Sequence, residues 1–165
     1  MKIPIKQGLN PVVDDNSRIL ILGSLPSDAS LKSREYYAYP QNQFWNILSS
    51  IYQESISVDY ESKRAFLHKH RIALWDVLKA AERKGSLDSN IRSPVVNDLK
   101  GFIRKHPQIR AIGLNGRKAW EKFNKHCIFK AGDMHVRYLP SSSSMHTKPL
   151  PEKVQAWQDF LKPVM

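Results

Sequence analysis

Apolar positions along the chain switch between short unbroken runs and runs spaced three or four residues apart. "RILILG" at 18–23 is of the first kind, closed by glycine, and reads as a buried strand; "RIALWDV" at 71–77, "IRAIGL" at 109–114 and "HVRYLP" at 135–140 repeat the pattern. "QFWNILSSIY" places apolar side chains at 44, 45, 47, 48, 51 and 52, the stripe of a helix buried on one face. Helices are also predicted over "DYESKRAFLHKH" (59–70), "SPVVNDLKGFIRKHP" (93–107, stopped by Pro107), "GRKAWEKFNKH" (116–126) and "PEKVQAWQDFLK" (151–162). The last has proline in its first turn, where a missing N–H has no intrahelical partner to lose.

Strands alternating with helices predict a parallel sheet covered on both faces, here an α/β/α sandwich around four parallel strands. The absence of internal repeats or linkers predicts a single domain over residues 1–165. Ligands of such sheets bind beyond the carboxyl ends of the strands. That rule selects "GSLPSDAS", "WDV", "LNG" and "LPSSSSMH", which follow or close the four strands in turn.

Charge narrows the class of partner. The formal net charge is +11, and residues 1–59 carry five Lys/Arg against six Asp/Glu while the remaining chain carries 21 against nine. A later part this basic favours a polyanion, because neutralised phosphates release counterions on binding; a solvated basic surface without function is the alternative. With 41% hydrophobic and 25% charged residues the composition is that of an ordinary globular chain. No apolar run approaches the roughly 20 residues of a membrane span and no signal-peptide core opens the chain, so a cytoplasmic protein that keeps company with the nucleoid is expected. Cys127 is the only cysteine, which excludes an internal disulfide and a four-cysteine metal site. "HKH" at 68–70 has no partner ligand visible in sequence, so no metal site is expected there.

Taken together, "ILGSLPSDASL", "YYAYPQNQFWNIL", "ALWDVLKAAERKGSLDSNI", "AIGLNGRKAWEKF" and "YLPSSSSMH" resemble, in order and over nearly the whole chain, the uracil-DNA glycosylase superfamily, most closely its hypoxanthine-DNA (deoxyinosine) glycosylase branch. The resemblance implies hydrolysis of the N-glycosidic bond of a deaminated base in DNA, as in base excision repair, without metal or organic cofactor; a monomer is expected. Such chemistry requires the nucleotide to be flipped out of the duplex. The site must then supply an aromatic face, hydrogen bonds to the base edge, a positioned water and a grip on the strained backbone.

In related glycosylases the GxxP loop carries Asp or Asn two residues after its glycine; this chain has Leu25 there, which can neither orient nor deprotonate water. The resemblance moves the essential role to Asn42 of "NQFW". Its carbonyl can accept from water while its NH2 donates to the base. Position alone also fits a helix cap, and the two roles are compatible. Gly23, Ser24, Leu25 and Pro26 are expected to line the base pocket, with Tyr37 as the stacking platform and Tyr36 or Tyr39 as substitutes; packing beneath the loop is the other reading of Tyr37. Asp76 lies where other branches place a base-reading asparagine and can accept from the N1–H of hypoxanthine, though uracil offers an N–H too. Its other readings are a cap on a following helix or a pair with Arg83.

Contacts to the DNA backbone are expected from Ser27, Arg83, Ser86, Arg117 and Lys118, and from Ser141, Ser142 and Ser143, with Met145 or His146 filling the vacated stack. The family pattern LPSTSPAN becomes LPSSSSMH, and its small residue and histidine before Pro40 become Ala38 and Tyr39. No lysine occupies a motif position, so strand cleavage is not expected. Uracil or xanthine in mismatches, and a DNA-binding relative without catalysis, are the alternatives; a nucleotide-binding domain is disfavoured because "GSLPSDAS" matches neither GxGxxG nor GK[ST].

Overall fold

The computed structural model of the chain describes residues 2–127 and 134–165. Its centre is a four-stranded parallel sheet ordered β3-β2-β6-β7, formed by β2 (Ile19–Gly23), β3 (Ile72–Asp76), β6 (Ala111–Asn115) and β7 (His135–Leu139). Every residue of β2 and β6 is buried, as continuous apolar strands covered on both faces must be. Side chains of a strand alternate between faces. Ile19 and Ile21 therefore join Ile72, Leu74 and Ala111 in one core, while Leu20 and Leu22 join Ala73, Ile112 and Leu114 in the other.

The first core is closed by α2 (Phe44–Tyr52), α3 (Tyr60–Lys69) and α6 (Leu150–Leu161). Phe44, Ile47, Leu48, Trp157, Phe160 and Leu161 are fully or almost fully buried there. Burying each such side chain is worth about 1.5–3 kcal/mol, and truncating one to alanine leaves a cavity on top of that loss. Both indoles in this layer satisfy their N–H on a loop carbonyl: Trp45 donates to Tyr37 O at 3.2 Å and Trp157 to Pro140 O at 2.9 Å. Core packing is thereby tied to segments flanking the strand ends. The second core is covered by α4 (Leu99–Lys105) and α5 (Arg117–His126) through Leu99, Phe102, Ala119 and Phe123.

The chain runs from β2 outward to β3 and then crosses to the other side of β2 to form β6. This reversal opens a crevice between the ends of β2 and β6. The four strands follow the sequence expectation within one or two residues.

A second, three-stranded antiparallel sheet ordered β1-β4-β5 was not anticipated; it comprises β1 (Ile5–Gln7), β4 (Leu78–Glu82) and β5 (Arg92–Val96). One correction follows. The helix expected over 93–107 is strand up to Val96 and helix only from Leu99. Pro94 has no N–H for a helix interior but fits an edge strand, and Asp98 starts the helix by accepting from Gly101 N at 3.0 Å. "LKAAE", rich in helix formers, is β4, because partners on both sides supply ladder bonds that outweigh its intrinsic preference. A short helix, α1 (Asp28–Ser33), fills the turn after β2, capped by Ser27.

Candidate active site

A cleft of about 710 Å³ opens at the carboxyl ends of the parallel strands. Its floor begins with Gly23, whose Cα faces the Asp76 carboxylate so closely that a Cβ would sit 2.6 Å from Asp76 Oδ1 and 3.3 Å from Tyr37 Oη. Any side chain at 23 would drive these groups apart. Ser24, Leu25, Pro26 and Ser27 continue along the cleft wall. Val77 N donates to Gly23 O at 2.8 Å and Leu78 N to Ser24 O at 3.1 Å, so the loop is zipped to the end of β3. Leu25 is 7% exposed and packs in the second core.

Asp76 ends β3 and is 4% exposed, with Oδ2 buried and unpartnered among the described residues. Burial lifts its carboxyl to about 7, the Asp88 carboxylate adding to the effect, while Arg83 and the Gly23 N–H pull the other way. Neither alternative reading of Asp76 holds: β4, not a helix, follows it, and it makes no ion pair with Arg83 among the described residues. Asp88 accepts Ser24 Oγ–H at 2.6 Å, and burial raises its pKa as well.

Tyr37 holds a left-handed backbone (φ 54°). One face of its ring lies on buried Phe44, centroids 4.0 Å apart and planes within 15°. Its hydroxyl accepts Asn115 Nδ2–H at 3.1 Å. Burial and the Asp76 charge keep that hydroxyl protonated. Tyr36 is instead a core residue, 3% exposed, donating to Asn10 O at 2.9 Å; Tyr39 is 45% exposed at the rim.

Asn42 borders the cleft, half-buried. Its Oδ1 accepts Phe44 N at 2.9 Å, which ties down the first turn of α2, one residue later than the start expected at Gln43. Gln43, not Asn42, stands at the N-cap position and makes no side-chain cap bond, so Asn42 secures the helix from one residue outside it, and its carbonyl keeps a second lone pair. Gln43 N donates to Ser142 O at 2.8 Å, and Lys153, wholly buried, donates to Gln43 Oε1 at 2.8 Å and Ser143 O at 3.0 Å. This lysine clamps the serine loop to the segment carrying Asn42.

Sequence reasoning missed Lys153 and Asn115 as site residues. Asn115 donates to Ser142 Oγ at 2.9 Å and accepts Ser142 N at 2.9 Å, besides its bond to Tyr37. The strand-end rule had already selected "LNG" and is the signal for Asn115; Lys153 carries no local signal, because its partners lie far off in sequence.

Arg83 requires correction. It has no exposed surface to offer DNA: its guanidinium is buried, donating to Pro26 O at 2.6 Å and Gly85 O at 2.7 Å. It braces the loop after β2 from behind. Ser86 lies at the cleft and accepts Asp28 N at 2.9 Å. Arg117 and Lys118 open α5 beside the cleft, after Gly116 at φ 99°. Ser141, Ser142, Ser143, Met145 and His146 form the opposite lip. Ser142 needs the same correction as Arg83, since it is buried with its hydroxyl accepting from Asn115 Nδ2, whereas Met145 is 71% exposed. Partial burial, then Lys153 and Lys148, lower the pKa of His146 and favour its neutral form.

Among the described residues no group of three or more His, Cys, Asp or Glu is placed to hold a metal ion. In "HKH", His68 pairs with Asp14 at 3.1 Å and His70 with Glu54 at 3.0 Å, carboxylates that sequence order did not reveal. No helix among the described residues is long and apolar enough to cross a membrane.

The cleft thus gathers an aromatic face, a buried carboxyl and an amide under a rim of hydroxyls and cations. Comparison with known proteins gives the family of the chain. The family model of the Uracil DNA glycosylase superfamily matches residues 11–161. The hypoxanthine DNA glycosylase of Methanosarcina barkeri is 35% identical over 158 residues, 95% of this chain and 98% of that protein. That of Methanosarcina acetivorans is 39% identical over 155 residues, 93% and 96%. A solution NMR structure of a candidate uracil DNA glycosylase from Methanosarcina acetivorans superposes with a TM-score of 0.83 at 37% identity, covering 98% of this chain and 99% of that one. The chain belongs to the uracil DNA glycosylase superfamily.

Proposed function

We propose that the chain is a monofunctional DNA glycosylase that releases hypoxanthine from deoxyinosine, with residues 1–165 acting as one domain and as a monomer. The observation that carries this reading is the meeting of Tyr37, Asp76 and Asn42 around one cleft at the strand ends. The names of the Methanosarcina relatives support the choice of base.

The flipped base stacks on the face of Tyr37 that Phe44 leaves free, a contact worth about 1–3 kcal/mol. Asp76 reads the base edge as a neutral acid. Its carbonyl oxygen accepts N1–H and its hydroxyl donates to O6, so it matches the edge as an amide does. Donation to O6 strengthens as the C1′–N9 bond breaks and its electron pair moves onto the base. Asn42 Oδ1 holds the water whose oxygen bonds to C1′ of the oxocarbenium-like sugar; an amide cannot take the proton, which passes to the departing base or to solvent. Leu25 leaves the usual water-positioning place apolar, which is why the duty falls on Asn42. Arg117, Lys118 and the serine loop hold phosphates on either side, and Met145 enters the gap in the stack.

The test is a duplex with one deoxyinosine, incubated and then treated with alkali to cut at abasic sites, beside duplexes containing deoxyuridine or no lesion. Faster release from deoxyinosine supports the reading. Faster release from deoxyuridine moves the substrate to uracil, and binding without release makes the chain an inactive relative.

A further inference from the structure

At the opposite pole of the parallel sheet, basic residues stand at the starts of adjacent strands. Arg71, Arg18 and Arg110 immediately precede β3, β2 and β6, and His135 begins β7. Their main chains are laced into one row: Arg18 N donates to Arg71 O at 2.8 Å, Arg110 N to Arg18 O at 2.7 Å and His135 N to Arg110 O at 2.9 Å. Neighbouring strands lie about 4.8 Å apart, so the arginines are rooted in a line roughly 10 Å long.

All of them border a cavity of about 840 Å³, together with Lys69, His70 and Tyr52, and closed on one side by 163–165. No acidic side chain is among its described lining residues. The carboxylate of Glu54 is already shared by Lys69 and His70. Arg18, Arg71 and Arg110 take part in no ion pair among the described residues. Tyr52 adds a hydroxyl that is buried without a hydrogen-bond partner among the described residues. Three arginines without an ion-pair partner among the described residues border one recess, and an anion seated there replaces their mutual repulsion with charge-assisted bonds.

We propose that this cavity is a second ligand site, for a small anion carrying at least two phosphate groups. With the arginines rooted on three adjacent strands, a diphosphate or longer chain offers separate phosphate groups to neighbouring guanidinium forks, which a single phosphate does not. The recess is of ligand size, within the range of about 300–1,000 Å³ typical of small-molecule sites. It is separated from the cleft by the five-residue length of the strands, about 17 Å, so it is not an extension of the base pocket.

The experiment is calorimetric titration of the full chain with pyrophosphate, tripolyphosphate and inorganic phosphate at about 0.15 M salt. Expected are saturable 1:1 binding of pyrophosphate and tripolyphosphate, much weaker binding of phosphate, and a loss of roughly tenfold in Arg110→Gln and in Arg18→Gln. Arg110→Lys, which keeps the charge but not the fork, should fall between. Base release by these variants, and pyrophosphate binding in the presence of a lesion-free duplex, should be unchanged. Absence of saturable binding, or binding indifferent to Arg110→Gln, overturns the proposal. So does displacement of pyrophosphate by duplex with loss of DNA affinity in the arginine variants, which would make the row a DNA-contacting face.

Discussion

Asn42 Oδ1 accepts the backbone N–H of Phe44 at 2.9 Å, so the amide that borders the cleft also fastens the helix whose first residue supports the Tyr37 ring. The amide and the ring stacked beneath Tyr37 are thereby tied to each other through one hydrogen bond.

Asn42→Ala should therefore show two separable losses. Base release in single turnover is expected to fall about 100-fold or more, the scale of removing one fixed polar group from a reacting centre. Stability is expected to drop by about 1 kcal/mol as the Phe44 N–H loses its acceptor. Asn42→Asp retains the cap, so its melting temperature should stay near that of the parent. DNA affinity should persist in both; release by Asn42→Ala at the parental rate would leave Asn42 with capping alone.

Asp76 is expected to make base release sensitive to pH around neutrality. Its folded pKa is raised from 3.8 to about 7, so the folded chain holds this proton more tightly than the unfolded one. The resulting stability is fully present below about pH 4 and is lost as pH rises through about 7, on the order of 4 kcal/mol in all. Base release should decline over the upper part of that window as the donor to O6 ionises. Asp76→Asn mimics the neutral acid: it should keep activity, flatten the pH profile, and resist urea better than the parent at about pH 8 but not at about pH 5. A parental profile unchanged by Asp76→Asn would remove the neutral acid from the reaction.

Arg83→Ala should cost about 3 kcal/mol in urea denaturation, because Pro26 O and Gly85 O lose a charged donor. Arg83→Lys, lacking the fork, should recover only part of it. Since the side chain is buried, the salt dependence of DNA binding should be that of the parent in both variants; a shallower slope would mean that Arg83 reaches phosphate after all.

Arg117→Gln and Lys118→Gln should behave in the opposite way. Affinity should weaken evenly across DNA sequences, and the slope of log K against log salt should lose about one unit for each phosphate contact removed. Folding stability should hardly change, because neither side chain makes a salt bridge among the described residues. A slope equal to the parent's in both variants would place the phosphate path elsewhere on the rim.

The parallel sheet was legible because its strands are uninterrupted apolar runs, and α2 because Phe44, Trp45, Ile47, Leu48 and Ile51 repeat at the helical period and are all buried. The antiparallel sheet was not. "LKAAE" has helical preferences, and its strand state rests on pairing with Ile5–Gln7 and Arg92–Val96, which no local window contains. Arg83 shows the same limit at the site, for a basic residue in a polar loop reads as a phosphate contact until the carbonyls around it are located.

By itself the sequence determined the four parallel strands, the helices α2, α3, α5 and α6, the order of the motifs at the strand ends, and the carboxyl ends as the place for a site, because the hydrophobic period of those segments is encoded locally. Tertiary structure alone decided that Arg83 faces inward, that Lys153 and Asn115 lock the serine loop to the segment of Asn42 and Tyr37, and that Arg18, Arg71 and Arg110 form one row. Those relations depend on burial and on hydrogen bonds between residues far apart in the chain, and they arise only when the strands are laid side by side.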